Sequence, residues 1–501
     1  MRGLALVAFS WLLVSLTAKA QSPVPLLTAP YIIGSSVYSV REFAPEIAAQ
    51  VGKPVSTDAL ESLGAAIRAR YVHDGFISPV VMIPAQDRGS STPRLYVLES
   101  RIVDFVIQGD PGPYRERIAT YARTLQDYAA LPRDSLRQAL KRISELPGIT
   151  SKPLLDPLPD APNQFRLVLK VSYRPVRGEI DASNGGTREL GRFLYGGTLD
   201  LNGVLGAEEQ MQLRAASSSQ ADRYQYAQAQ LSRALGSNTI SVQGGGTAAV
   251  PDADTHFSDR NMTLGVSHAL LSSLGSSLAL TGALHCENGV IHDATNAHVV
   301  DDRTRSVSLG LEFNRLSSST QTSAYSTFDR GTHVWGASTL DANDTGVDVA
   351  FDKLLFGAAH AVALGERWRM RLSFDAQATR DILPITERFA FGGLGFGAAF
   401  DPASLVGDSG AGVSAELGRL VRLPAGSWPY ATVYARADYG VTWNNADYLP
   451  RRDDAASLSV GLLVKGSHLK ATLELSTPLL QPEHTLPADS LRALFFVAVA
   501  F

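Results

Sequence analysis

Residues 369–380, RMRLSFDAQATR, alternate strictly between two kinds of side chain. Met370, Leu372 and Phe374 occupy one parity, followed by two alanines, and polar or charged residues fill the other parity. Successive side chains of a β-strand point to opposite faces, so the stretch predicts a strand with one apolar and one polar face. About sixteen segments of this texture recur between residue 178 and the end of the chain, separated by Gly, Asp, Asn and Ser.

Two architectures present one apolar and one polar face: a soluble β-sandwich and a transmembrane β-barrel. Three features favour the barrel. The segments are numerous and even in length, their apolar face is often small (Ala, Gly), and the chain ends on the strand LRALFFVAVAF, whose last residue is Phe501. We therefore expect a 16-stranded antiparallel transmembrane β-barrel over residues 177–501, with a lumen wide enough to need a plug or to pass a solute.

The first twenty residues predict export from the cytoplasm. Arg2 precedes an apolar run from Leu4 to Leu16, and the run ends in TAKA before Gln21. This is the pattern of a cleaved signal peptide, here residues 1–20, and the run is short for the alternative of a membrane anchor. Residues 21–30 are then expected to be a short linker.

Between the linker and the barrel, the pattern predicts two small units that mix helix and strand, residues 31–101 and 102–176. In the first, SSVYSV (35–40) predicts a strand and residues 57–76 a helix that ends near Gly75. In the second, residues 133–148 predict a helix that stops at Pro147. Further strands are expected in the segments 78–86, 94–110 and 164–175.

Composition and motifs argue against several functions. The net charge is −4 with acids and bases interspersed, so no basic surface for nucleic acid is expected. The single cysteine, Cys286, lies near His285, His292 and His298, but the spacing matches no zinc pattern, and we expect neither metal nor cofactor. Neither a phosphate-binding P-loop nor a nucleophile elbow is present, and we expect no enzyme.

Several motifs, in order, resemble one family. They are VYSVREF (37–43), YVHDGFISPVVMIPAQ (71–86), LYVLESRIVDFVIQG (95–109) and DASNGGTRELGRFLYGGTLDLNGVLG (181–206), the last with Asn184, Gly191 and Arg192 in register. Together they resemble the outer-membrane transporters of two-partner secretion (type Vb, the TpsB or haemolysin-activator class) in the outer-membrane-protein-85 superfamily. The resemblance implies that the two α+β units are POTRA domains.

The stretch FAFGGLGFGAAFDPASLVGDSGAG (389–412) resembles the sixth extracellular loop of that family, which folds back into the barrel over about residues 386–412. In the family, a loop arginine pairs with an aspartate on the inner barrel wall. Here the arginine position falls on Ala398 and the neighbouring tyrosine position on Phe400. The loop-six motif in this chain comprises Gly392, Gly393, Gly395, Phe396, Gly397, Ala398, Phe400, Asp401, Gly407 and Asp408.

The wall aspartate of the family corresponds to Asp438 in VYARADYGVTWN (433–444). A buried carboxylate without a partner is unfavourable by several kcal/mol, on the order of a broken buried ion pair. Arg436 shares the strand face of Asp438, so we expect Arg436, another lumenal cation or water to compensate it. We further expect packing of Phe396 and Phe400 and backbone hydrogen bonds, rather than an ion pair, to hold the loop tip.

The resemblance implies a pore in the outer membrane of a Gram-negative bacterium that binds an unfolded secreted partner through periplasmic POTRA domains. The POTRA contact is expected at Val80, Val81, Met82, Ile83 and Pro84. Other expected partners are lipid, lipopolysaccharide and the barrel-assembly machinery, for which Phe501 is the terminal signal. A short linker leaves no room for a plug helix, which predicts a higher resting conductance in planar bilayers than that of relatives with a plug helix. Two alternatives remain: a factor that assembles other barrels, and a passive channel that lacks the loop arginine.

Overall fold

The computed structural model describes residues 25–87, 90–252, 254–273, 275–292, 298–340, 346–423, 430–483 and 488–501. The expected signal peptide, residues 1–20, and the start of the linker lie outside this part of the chain. Two compact units are present. One contains the described residues up to Val106 with Ala119–Ala139 and Pro153–Leu169, and the other contains Ile107–Ile118, Leu140–Lys152 and Lys170–Phe501.

The first small sheet packs against helices, as the sequence predicts. It has the strand order β1-β3-β2, with β1 parallel and β2 antiparallel to the central strand. One face of helix α2 supplies the core through Leu60, Leu63, Ile67 and Tyr71. The elements are β1 (Tyr31–Ile33), α1 (Ala44–Ala48), α2 (Thr57–His73), β2 (Val80–Met82) and β3 (Arg94–Leu98).

The strand expected over residues 35–40 is wrong, because the first strand ends at Ile33. The backbone N–H groups of Ser36 and Val37 donate to Glu99 Oε1 (2.8 and 3.1 Å), so a buried carboxylate takes the place of a neighbouring strand. Ser39 and Glu42 then form a capping box that starts the 3-10 turn Val40–Phe43. Side-chain capture of backbone donors thus outweighs the β-propensity of this segment.

A second three-stranded sheet has the order β4-β6-β5. The helix expected over 133–148 is confirmed, whereas α3 and β5 were not foreseen. The elements are β4 (Arg101–Asp110), α3 (Arg115–Arg123), α4 (Arg133–Ser144), β5 (Ile149–Leu158) and β6 (Ala161–Tyr173). Within the residues described, no helix is both long and apolar enough to cross a membrane.

In the described part of the chain, sixteen antiparallel strands form one closed barrel, which confirms the predicted architecture. Strand β24 pairs with β7 to close the ring. The strands are β7 (Val176–Ser183), β8 (Leu194–Asn202), β9 (Glu209–Ser218), β10 (Tyr224–Leu235), β11 (Asn238–Ala249), β12 (His256–Ser273), β13 (Ser276–His292), β14 (His298–Leu316), β15 (Thr320–Gly331), β16 (Asp352–Leu364), β17 (Trp368–Thr379), β20 (Ser409–Arg422), β21 (Tyr430–Trp443), β22 (Arg452–Lys465), β23 (Leu469–Leu480) and β24 (Arg492–Ala500).

The two faces of the barrel wall differ as the alternation predicts. On β17, Leu372 and Phe374 are exposed on the outer face, and Gln377 is buried on the inner face. The connection between β17 and β20 is the sixth one at the end of the barrel opposite the start of β7, and we call residues 380–408 loop six. Inside it, β18 (Phe389–Phe391) and β19 (Leu405–Gly407) pair as a separate two-stranded sheet.

Candidate functional site: loop six inside the barrel

Loop six is anchored at its stem by a buried side-chain network. Lys353 Nζ lies 2.6 Å from Glu387 Oε2 and 3.9 Å from Asp329 Oδ2. Thr304 Oγ1 donates to Glu387 Oε1 (2.9 Å), so three neighbouring strands reach the same loop residue or its lysine partner. The loop stem is therefore bound to β14 and β16, and Asp329 of β15 lies beside the lysine that binds it.

Both ends of the loop are joined by a glutamine and an aspartate. Gln377 Nε2 donates to the carbonyl oxygens of Glu387 and Asp408, each at 2.9 Å. The Asp408 side chain is fully buried and accepts from the N–H groups of Leu383 (2.9 Å) and Asn445 (2.8 Å). These bonds satisfy polar groups that would otherwise be buried without partners. Asp408, a predicted motif residue, is thus a structural anchor of the loop.

The middle of the loop forms a small apolar core. Phe391, Phe400, Leu405 and Ala399 from the loop pack with Ala455 of the wall, and Phe389 and Phe396 lie against them. Burial of one aromatic ring of this kind contributes about 1.5–3 kcal/mol. The packing of Phe400 agrees with expectation, and Ala398, at the arginine position of the resemblance, is fully buried.

Glycines on the barrel wall make room for this core. A Cβ on Gly440 would lie 2.3 Å from the Phe391 ring, and one on Gly410 would lie 2.1 Å from Phe389. Carbon atoms pack at about 3.5–4.0 Å, so neither position can carry a side chain while the loop stays in place. The wall is therefore shaped to receive the loop rings.

The inner-wall residues Arg436 and Asp438 lie together. Arg436 Nε is 3.3 Å from Asp438 Oδ2, but its N–H is not aligned for a hydrogen bond. Ser457 Oγ donates to the same Asp438 oxygen (3.2 Å), and Asp438 Oδ1 has no hydrogen-bond partner among the residues described. Arg436 Nη2 also lies 2.7 Å from Glu474 Oε1, so one guanidinium faces two acids of this wall.

Arg436 also contacts the loop directly. Its Nη1 donates to the carbonyl oxygen of Leu394 (3.3 Å). Leu394 in turn approaches Gly185 of the first connection, where a Cβ would lie 2.8 Å from its side chain. Arg436 therefore faces the wall aspartate on its own strand and also touches loop six.

The expectation that no ion pair holds the loop tip is wrong. Arg492, the first residue of β24, places Nη2 2.8 Å from Asp401 Oδ1, and Arg192 Nη1 lies 3.6 Å from the same oxygen. Arg492 was not among the predicted site residues. The one sequence signal was a lone arginine at the start of an otherwise apolar terminal strand, and nothing in that strand indicates its partner.

The remaining predicted residues are not part of loop six. Val81 and Ile83 pack on the core of the first sheet, whereas Met82 is 51% exposed. Phe501 is largely exposed, and its ring covers Gly178 of β7. Among the described residues, no group of three or more His, Cys, Asp or Glu side chains is arranged to hold a metal ion.

Comparison with known families gives two matches. The family described as haemolysin secretion/activation protein ShlB/FhaC/HecB matches residues 166–464. The POTRA domain of ShlB type matches residues 29–100. A search of curated proteins finds no match.

Solved structures with the same fold cover almost the whole chain. CdiB from Escherichia coli is 19% identical with a TM-score of 0.72, over 97% of this chain and 92% of its own. CdiB from Acinetobacter baumannii is 16% identical with a TM-score of 0.64, over 96% of this chain and 91% of its own. BamA from Haemophilus ducreyi lacking POTRA domains 1-3 is 12% identical with a TM-score of 0.54, over 95% of this chain and 100% of its own.

Proposed function

Because the chain belongs to the haemolysin secretion/activation protein family ShlB/FhaC/HecB, we propose that it exports one unfolded partner protein through the barrel past a displaced loop six. As a family member it is an outer-membrane transporter of two-partner secretion, with POTRA domains in the periplasm. The observation that supports the export route is the loop itself: Phe391, Phe400 and Asp408 are buried inside a closed barrel. A passing chain needs that space.

We propose that the partner first binds the first POTRA domain at β2. This strand is an edge of its sheet, since it pairs with β3 in the described residues and ends the order β1-β3-β2. An extended chain can add to such an edge through main-chain hydrogen bonds, with side-chain contacts giving selectivity. Among the five residues proposed from sequence, Met82 is the exposed one, while Val81 and Ile83 belong to the domain core. The boundaries 31–101 and 102–176 for the two domains are part of this proposal.

A photo-crosslinking experiment tests the partner contact. A photoreactive amino acid is placed at Met82 of the full-length protein, and at the exposed Val72 of helix α2 as the matched control. The probe is the N-terminal secretion domain of a candidate exoprotein of the two-partner class, chosen from the genome that encodes this chain. We expect a crosslink from position 82 and none from position 72, together with release of the exoprotein that depends on this chain. Equal crosslinking at both positions would contradict binding at β2.

The outer wall and the chain terminus suggest further partners. Exposed apolar residues such as Leu309 (58%) and Leu473 (60%) lie on the outer strand face, where a transmembrane barrel meets lipid. We propose contacts with acyl chains and lipopolysaccharide at this face, and recognition of Phe501 by the barrel-assembly machinery during insertion. We propose no catalytic reaction.

Ala398 favours one competing function, a passive channel, because the loop lacks the arginine of the resemblance. The two functions differ in a simple assay. An exporter releases the exoprotein into the medium and loses this activity when loop six is tethered to the wall. A passive channel conducts small ions with or without the exoprotein. Deleting the gene of such a channel leaves exoprotein release unchanged.

A further inference from the structure

Arg492 joins three separate parts of the chain from a buried position. Its side chain is 6% exposed and Nη2 lies 2.8 Å from Asp401 Oδ1. Nη1 donates to the carbonyl oxygen of Phe400, and Nη2 donates to that of Gly186 (3.2 Å) in the connection between β7 and β8. One guanidinium thus holds the loop-six tip and the first outer connection against β24.

A second arginine shares the acid of the loop tip. Arg192 lies 3.6 Å from Asp401 Oδ1 and 3.4 Å from Asp489 Oδ2. Asp401 is therefore flanked by two cations from the barrel, and it is the one carboxylate of the described loop tip, residues 392–404. Removing one partner of a buried ion pair is strongly destabilising, because it leaves the other charge buried without compensation.

We propose that Arg492 is the positioning residue that holds loop six in the closed pore, with the cation on the wall and the acid on the loop. The inference rests on the proposed function, in which loop six moves during export. The wall aspartate Asp438 faces Arg436 at 3.3 Å and accepts from Ser457, whereas the loop tip meets its own cation at Arg492. Arg492 is the fixed partner, because its backbone belongs to the β24 ladder and its side chain binds Gly186. Asp401 is the partner that moves with the loop.

The Arg492–Asp401 ion pair is tested by charge reversal in the full-length protein. Arg492→Glu and Asp401→Arg each place like charges together, whereas the double variant restores an ion pair of opposite direction. The loop position is read by the thiol-labelling rate of Ala399→Cys, a residue that is 2% exposed, in a Cys286→Ser background. Planar-bilayer conductance is the second readout. Arg330→Glu is the matched control, because Arg330 pairs with Asp352 at 3.7 Å and is 66% exposed.

We expect labelling to rise about tenfold or more in each single reversal, because each places like charges together in a buried site, and to fall again in the double variant, which restores the ion pair but not the hydrogen bonds of Arg492 to Phe400 and Gly186. Conductance should follow the same order, and Arg330→Glu should change neither. Protected Ala399→Cys in both single reversals would overturn the proposal. If Arg492→Glu does not insert, Asp401→Asn removes only the carboxylate charge and should also raise labelling. Neither readout needs the exoprotein. If the single reversals raise labelling while the unmodified protein secretes nothing, this inference stands and the proposed function fails.

Discussion

Lys353 and Glu387 form an ion pair of 2.6 Å between two side chains that are 7% and 9% exposed. The lysine belongs to wall strand β16 and the glutamate to the stem of loop six. Asp329 stands on the far side of the lysine at 3.9 Å, so one cation serves two buried acids. The position of the loop therefore depends on a wall residue that binds the loop stem.

Removing Lys353 should destabilise the barrel more than removing the charge of Glu387. Lys353→Met leaves two buried acids without a cation, and breaking such a pair costs about 3–5 kcal/mol. Glu387→Gln keeps Lys353 beside Asp329 and should cost less, and the double variant should lose less than the sum of the two. The measurement is the temperature at which the folded barrel loses its compact electrophoretic mobility in detergent. The exposed pair Arg451–Asp447 supplies a control, Arg451→Gln, with a change under about 1 kcal/mol. A Lys353→Met barrel as stable as the unmodified one would refute this account.

Adding a single methyl group to the wall should displace loop six. Gly440→Ala brings a Cβ to 2.3 Å from the Phe391 ring, so the ring must move. We expect a higher resting conductance and a loss of about 1–3 kcal/mol, which is typical of overpacking. Gly282→Ala is the control, because its nearest neighbour would be at an ordinary 3.7 Å. Equal conductance of the two variants would show that Phe391 does not close the pore.

Phe501 should matter for insertion more than for stability. Its ring lies over Gly178, but the residue is 69% exposed. Its backbone N–H and C=O form hydrogen bonds with Gly178 at 2.9 and 3.1 Å, and these bonds do not depend on the side chain. Phe501→Ala should therefore change the unfolding free energy of the purified barrel by less than about 1 kcal/mol. In cells, less folded protein should reach the outer membrane, and Phe501→Tyr should restore the amount. A large loss of stability with normal insertion would reverse the assignment.

The first POTRA domain should lose one contribution to its stability in acid. Tyr38 donates to Asp74 Oδ2 (2.6 Å), and this hydrogen bond is the main cause that lowers the pKa of Asp74 below its ordinary 3.8. A carboxyl with a lowered pKa stabilises the fold above its unfolded pKa and loses this effect as the pH falls through the folded value. Asp74→Asn should therefore lower protease resistance of this domain at neutral pH, and the difference should shrink below about pH 4. A difference that grows in acid would contradict the assignment, and Tyr38→Phe should reproduce part of the loss.

Local pattern was enough to predict the barrel, and the reason is physical. The two-residue period of a strand is a property of the backbone, so residues 369–380 show their inner and outer faces without reference to any other strand. The same holds for α2, where the apolar residues Leu60, Leu63, Ile67 and Tyr71 recur at helical spacing. The glycine-rich composition of loop six can also be read from the sequence. Such positions have no Cβ, which allows aromatic rings to approach closely.

Which charges meet inside the lumen was decided by the tertiary structure alone. Arg492 reaches Asp401, and Lys353 reaches Glu387, only after sixteen strands in the described chain pair in one register and close between β24 and β7. A shift of one residue in any strand would turn its inward side chains to lipid, and no local pattern records the register of distant strands. The same limit explains the missed turn at residues 35–40, where the acceptor Glu99 lies in a later segment. Local alternation thus specifies the barrel wall, and long-range strand pairing specifies what holds the loop within it.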